Sequence, residues 1–227
     1  YNGLGTLSQG PILPNTSAYD PAEKTEFSDF APARAQALLD LYGFVDRNGD
    51  GWRERPDGSP LVLNTKTEPQ ARNRKIAEVF VKNMKGIGIR VELTVAQWPE
   101  NLKAARAGNY QVWSLGLLAA GADSGSSVSQ RYDSKQAGGQ NMSRVKIAAL
   151  DALCDRIDRL PDGPERSTAL KELERLALAY MPYKYTLNRV SLDMTQKRVI
   201  GYRRPVFWND WWHYVDIEGE GDKLARA

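Results

Sequence analysis

LVLNTKTEPQARNRKIAEVFVKNMKGIGIRVELTV, running from Leu61 to Val95, is the stretch whose periodicity decides the fold. Leu61 to Thr67 alternates apolar and polar residues, the pattern of a half-buried strand. From Pro69 to Lys85 the period lengthens: Ile76, Val79, Phe80 and Met84 recur at helical spacing, and Gly86 and Gly88 stop them. Ile89 to Val95 returns to alternation. Strand, helix and strand within about 35 residues predict a βαβ unit, with parallel strands and a right-handed crossover. A short helix from Pro99 to Ala107 then leads through Gly108 into YQVWSLGLL, a third apolar strand. The fold class is α/β, with helices flanking the sheet.

Upstream, Tyr1 to Phe27 is rich in Gly, Pro, Ser and Thr and reads as an extended lead-in lying over a surface. A helix begins near Pro32, after Asp29 or Ala31, with Ala35, Leu38, Leu39 and Tyr42 on one face and Gly43 at its end. DRNGDGWRERPDG follows, Asp46 to Gly58. Asp46, Asn48 and Asp50 alternate and Gly51 comes next, as in the first half of a calcium loop, where alternate oxygens converge and glycine permits the sharp turn. The Trp52 carbonyl and Asp57 would supply the seventh and twelfth positions of such a loop. The shorter Asp57 stands where a bidentate Glu belongs, and a strand rather than a helix follows. Two readings fit: a rigid helix-to-strand turn built from residues chosen for turn geometry, or a weak calcium site.

Downstream, Ala119 to Ser143 is dominated by Gly, Ala, Ser, Asp and Gln. A loop this long is functional or disordered, and it follows the carboxyl end of the third strand, where open α/β sheets bind ligands. Two helices come next. Leu150, Leu153, Cys154 and Ile157 form the inner face of the first. The second has Asp162 as cap with Glu165 three residues on, and Leu170, Leu173, Leu176, Ala177 and Tyr180 inward. Two short strands, Pro182 to Leu187 and Val190 to Met194, precede a dense aromatic run containing Phe207, Trp208, Trp211, Trp212 and Tyr214. Such a cluster binds a planar ligand or docks against protein, and docking is the reading preferred here.

The chain has 227 residues, 41% hydrophobic and 26% charged, enough to bury a substantial core. A net charge of +3, with no dominant basic patch, gives no reason to invoke nucleic acid. The single cysteine, Cys154, excludes an internal disulfide and a cysteine-based zinc site, and its apolar stripe makes it a buried structural thiol. No apolar run reaches bilayer length. His213 is the sole histidine and has no Ser or Cys partner near it in sequence, which removes most Ser-His-Asp and Cys-His schemes. There is no phosphate loop, GxGxxG or HExxH motif. A carboxylate-dependent α/β hydrolase or transferase stays open as the alternative function.

GPILP (Gly10 to Pro14), Tyr19, the ARAQALLD helix, GFVDRNGDGWRERPDGSPLVL, NYQVWSLGL, Asn141 and the Glu165-Arg166 helix start occur here in one order. In that order the chain resembles family 5 extracellular solute-binding proteins, the oligopeptide- and dipeptide-type receptors of bacterial ABC importers. The resemblance spans Gly3 to about Tyr202. It implies a two-lobed periplasmic or extracellular clamp that closes over a small solute, peptide-like or other, and presents it to a membrane permease, with no enzymatic activity and no required cofactor. This chain would be the C-terminal lobe, residues 1–202. Residues 203–218 would carry the aromatic run back toward a first lobe not included in it, and 219–227 would form a disordered tail. A signal peptide is expected in the missing N-terminal region.

In peptide receptors of this family a Gly-Trp pair ends the third strand, and an Asp three residues after the Trp meets the peptide's amino group. Gly116 keeps the glycine, but Leu117 stands at the Trp position and Ala120 at the Asp position, while Asp123 matches a later, structural Asp. A buried ammonium without a carboxylate costs several kcal/mol by rough estimate. The resemblance therefore implies a ligand without a free amino terminus, or one anchored by the other lobe, unless Asp123 takes the place of the missing acid. Trp113, Leu117, Ala120 and Asp123 are the residues expected to line this half of the cleft, unless strand alternation turns Trp113 into the core.

Overall fold

The computed structural model describes residues 3–119, 121–207 and 211–219, the Trp211 side chain excepted. Ala120, Trp208 and the tail beyond Gly219 lie outside them. In chain order the elements are β1 (Gly5–Leu7), α1 (Pro32–Leu41), β2 (Val62–Thr67), α2 (Ala71–Lys85), β3 (Arg90–Val95), α3 (Trp98–Ala107) and β4 (Val112–Trp113), then α4 (Gly125–Tyr132), α5 (Ala148–Arg159), α6 (Pro164–Tyr180), β5 (Leu187–Arg189), β6 (Val199–Ile200) and β7 (Asp216–Ile217). Single 3-10 turns lie at Glu26–Ser28, Ser134–Gln136 and Trp211–Tyr214.

The chain divides into two compact units. The sheet unit comprises Asp29–Leu117 and Ser134–Val145. Its sheet has the order β3-β2-β4, and both ladders are parallel, Val62 opposite Arg90 and Lys66 opposite Trp113. The predicted βαβ unit is present, with α2 as the crossover. The third strand is far shorter than the apolar run suggested, because only Val112 and Trp113 pair. The apolar face expected of α1 is not a core face: none of its residues is buried, Leu38 is 48% and Tyr42 68% exposed. On α2, Ile76 and Val79 are likewise exposed, and the residue sealed against the sheet is Ala77.

The helical unit comprises Tyr1–Ser28, Leu118–Asp133 and Lys146–Ala227. Its core is the meeting of α4, α5 and α6, with Val128 and Tyr132, Leu150, Cys154 and Ile157, and Leu170, Leu173 and Ala177 all buried. Burial pushes the Cys154 thiol up to about 12, so it is the inert structural thiol expected. Part of the stretch read as a long loop is helix α4. Its sequence, GSSVSQRY, has poor intrinsic helix propensity, and packing of Val128 and Tyr132 supplies what propensity does not. The cap of α6 also differs: Gly163 occupies it with no side-chain bond, because the Asp162 carboxylate accepts instead from Arg166 at 2.7 Å.

The lead-in does not lie over a surface throughout. Pro11 and Ile12 are buried, β1 pairs antiparallel with β5, and the Pro11 carbonyl accepts from the buried Arg131 guanidinium at 3.1 Å. Neither strand expected after Met181 forms with its expected bounds: the strand there is Leu187–Arg189, which shares only Leu187 with the first and none of the second, and β6 pairs with β7 in a separate two-stranded ladder. Phe207 is half-buried, whereas Trp212 and Tyr214 are exposed. Among the described residues no helix is long and apolar enough to cross a membrane.

Candidate functional site

Parallel strands bring their carboxyl ends to one edge of a sheet, and side chains just beyond those ends face whatever binds there. In the sheet unit that edge carries Glu68 after β2, Ala96 after β3 and Trp113 at the end of β4. Glu68 is only 6% exposed. Its Oε1 accepts from the Trp113 indole Nε1 at 3.0 Å and from Asn101 Nδ2 at 3.2 Å, and its Oε2 accepts from Asn73 Nδ2 at 3.0 Å. Asn101, fully buried on α3, also donates to the carbonyls of Thr67 at 3.1 Å and Ala96 at 3.2 Å. All three neighbours of that amide nitrogen are acceptors, which fixes the orientation of the amide and leaves Oδ1 buried without a donor. One asparagine thus ties the ends of β2 and β3 to α3, and one glutamate ties Trp113 to both.

Of the residues expected to line a ligand, Trp113 is half-buried and anchored by Glu68, and Leu117 is partly exposed on the chain that leaves β4. Ala120 is outside the described residues. Asp123 belongs to the helical unit, where its Oδ1 accepts from the Gly125 N–H at 2.7 Å and lies 2.9 Å from Arg166 Nη1. Arg166 packs over Gly125 and donates also to the Ile157 carbonyl at 3.0 Å, so this ion pair fixes the start of α4. Glu68 and Asn101 escaped sequence reasoning because Asn101 and Trp113 stand 33 and 45 residues from Glu68 and leave no local pattern; Asn73, five residues from Glu68, joins only once Glu68 is buried there.

The Asp46 loop is a ladder of side-chain-to-backbone turns. Asp46 accepts from the Gly49 and Gly51 N–H groups at 2.7 and 2.8 Å, Asn48 from Asp50 at 2.9 Å, and Asp50 from Trp52 at 2.9 Å. Gly49 and Gly51 take the left-handed backbone this ladder demands, with φ of 79° and 87°. Asp46, Asp50 and Glu54 bring one carboxylate oxygen each within 4.8 Å of one another. Asp57, expected as the last ligand, lies outside that group. It accepts from the Ser59 hydroxyl and N–H, which hold its carboxyl below the usual range. Glu54, the acid that does join, also accepts from the Arg47 N–H at 2.8 Å. The Trp52 ring carries Arg90 at 5.1 Å from its centroid.

In the helical unit, Glu174 of α6 is 6% exposed beneath Gly10 to Ile12. Burial pushes its carboxyl up to about 7; the Glu23 charge adds to the rise, and the Ile12 N–H, Lys171 and Arg175 oppose it. A carboxyl near neutrality is a candidate acid or base, but this one is sealed under the lead-in.

A family model for the bacterial extracellular solute-binding proteins, family 5 middle region, matches residues 1–139. The chain belongs to family 5 of the bacterial extracellular solute-binding proteins. Its relatives include the heme-binding protein A of Haemophilus influenzae, 23% identical over 97% of this chain and 38% of that protein. A dipeptide-binding protein of Pseudomonas aeruginosa is 24% identical over 89% of this chain and 36% of its own length. The oligopeptide-binding protein AppA of Bacillus subtilis, solved with a nonapeptide, superposes with a TM-score of 0.80 at 21% identity, covering 96% of this chain and 44% of that one. The chain therefore spans about two fifths of the length of the relatives it matches. Family 5 is a family of binding proteins, and the hydrolase or transferase alternative falls away.

Proposed function

We propose that this chain is the C-terminal lobe of a receptor that captures a solute outside the cytoplasm and delivers it to an ABC-type permease. Family membership across residues 1–139 is the observation that carries the reading. The carboxyl edge of the parallel sheet supports it, since that is where such sheets receive ligands. Trp113, Leu117, Ala120 and Asp123 would line this half of the cleft. The other half would come from a first lobe, with residues 203–218 returning toward it.

The relatives' names span a heme, a dipeptide and a nonapeptide, so the family leaves the solute open. We propose a ligand that needs no carboxylate from this lobe. Leu117 and Ala120 replace the residues that serve a peptide amine, and the Asp123 charge is already matched by Arg166. The Asp46 loop takes no part in this function and serves as the helix-to-strand turn; its oxygens satisfy backbone N–H groups.

Isothermal titration of the chain with hemin, a dipeptide and a nonapeptide tests the shared cleft. With half the contacts absent, no binding tighter than about 100 μM is expected. Submicromolar binding by the chain alone would contradict it. Reading the coding sequence upstream of Tyr1 is a second test: a first lobe preceded by a signal peptide is expected, and an open reading frame starting close to Tyr1 would count against the receptor.

A further inference from the structure

Glu68 is an oddity for a buried carboxylate. Among the described residues no lysine or arginine forms an ion pair with it, and its oxygens are met by three neutral donors from three places: Asn73 of α2, Asn101 of α3 and Trp113 of β4. A buried anion is costly unless fixed donors meet it, so such an arrangement is expected where the carboxylate has something to hold. Two of the donors are amides within helices. The third is the one polar atom of the residue expected to face the solute.

An indole has a single hydrogen-bonding group, its Nε1–H. In Trp113 that group is consumed by Glu68 at 3.0 Å. The ring has no donor left to give a ligand, so any contact it makes would be through its π face and apolar rim. The same bond, together with the in-register pairing of Trp113 with Lys66, restrains the ring before anything arrives.

We infer that Glu68 is a positioning residue that presents the Trp113 ring as a preoriented stacking platform for a planar or apolar group of the solute. The inference rests on the receptor reading above and deepens it, by assigning a ligand group to one wall of the cleft. Restraining one side chain in advance removes an ordering cost from binding, which corresponds to about fivefold in affinity.

The test uses the whole 227-residue chain with ¹⁵N-labelled tryptophan and caffeine, a neutral planar molecule, as the probe. Trp113→Phe identifies the indole N–H resonance of Trp113. That N–H is expected to exchange slowly with solvent and to shift on addition of millimolar caffeine. Glu68→Gln keeps an acceptor and is expected to leave caffeine affinity within about twofold of native. Glu68→Leu is expected to speed exchange of this N–H and weaken caffeine about fivefold, while far-UV circular dichroism stays unchanged. Glu68→Asp retracts the oxygens by one methylene and is expected to act in the same direction, which covers the case of a Leu variant that does not fold. Exchange and affinity both indifferent to Glu68→Leu and Glu68→Asp would overturn the inference. If exchange responds but caffeine leaves Trp113 unshifted in the native chain, the tie to Glu68 is real and Trp113 is no ligand wall. That outcome overturns the inference through the receptor reading rather than through Glu68.

Discussion

Two glutamates are buried to the same depth, one in each unit, and they are met in opposite ways. Glu68, at the end of a parallel strand, accepts from three side-chain donors. Glu174, on the inner face of α6, has the Ile12 N–H and stands near the charge of Glu23. Depth alone therefore says little about a carboxylate. The donors that meet it decide what its removal does: taking away Glu68 breaks three hydrogen bonds at once, whereas neutralising Glu174 relieves a charge the site resists.

The largest expected effect tests the first half of that contrast. Glu68→Ala should cost about 4 kcal/mol, because three hydrogen bonds to one buried carboxylate are lost together with the packing of its side chain. Urea unfolding followed by circular dichroism measures it, and a loss under about 1 kcal/mol would break the comparison. The second half has a sign. The folded carboxyl of Glu174 sits at about 7, above its ordinary 4.5, so the folded state binds the proton more tightly. Its contribution is full below pH 4.5 and is lost as pH rises through 7, a decline of about 3 kcal/mol. Glu174→Gln should remove that slope and make the chain more stable than native at about pH 8. A difference between the two chains that does not vary with pH would refute this.

A smaller effect is expected at Asp123, whose side chain is 37% exposed beside Arg166. Asp123→Ala should cost about 1 kcal/mol in the same unfolding measurement, since Arg166 keeps Asp162 and solvent can replace what is lost. A cost near that of Glu68→Ala would show that exposure matters less than the contrast supposes. The smallest effect belongs to Asp46 and Asp50, both exposed and already bonded to loop N–H groups. Millimolar calcium should move Tm by less than about 1 °C. A rise of several degrees reversed by chelator would make the loop a cation site after all.

Much of this was legible in the sequence. Hydrophobic period alone located β2, α2 and β3 and their parallel pairing, and Cys154 was placed correctly on a buried stripe. What escaped depends on distance along the chain. Nothing local distinguishes Glu68 from other acids, and Asn101, a poor helix former, reveals its use only once β2 and β3 end beside it. Helix α4 was hidden for the converse reason: its composition is that of a loop, and α5 and α6 make it a helix. Capping logic failed at Asp162 because Arg166, four residues on, competes for the same carboxylate. At the Asp46 loop, spacing found the turn but picked Asp57 where the fold brings Glu54.

The buried position of Pro11 and Ile12 matters for how the molecule is made. These residues are synthesised some 160 positions before Glu174, the group that receives the Ile12 N–H. The sheet unit is contained within Asp29–Val145, so a ribosome completes it while the opening segment still has no α6 to receive it. Folding of the helical unit must therefore join Gly10 to Ile12 to a helix that begins about 150 residues later. Agents that capture nascent chains would find Gly10 to Ile12 available while the residues up to α6 are being made, and inaccessible soon after α6 emerges.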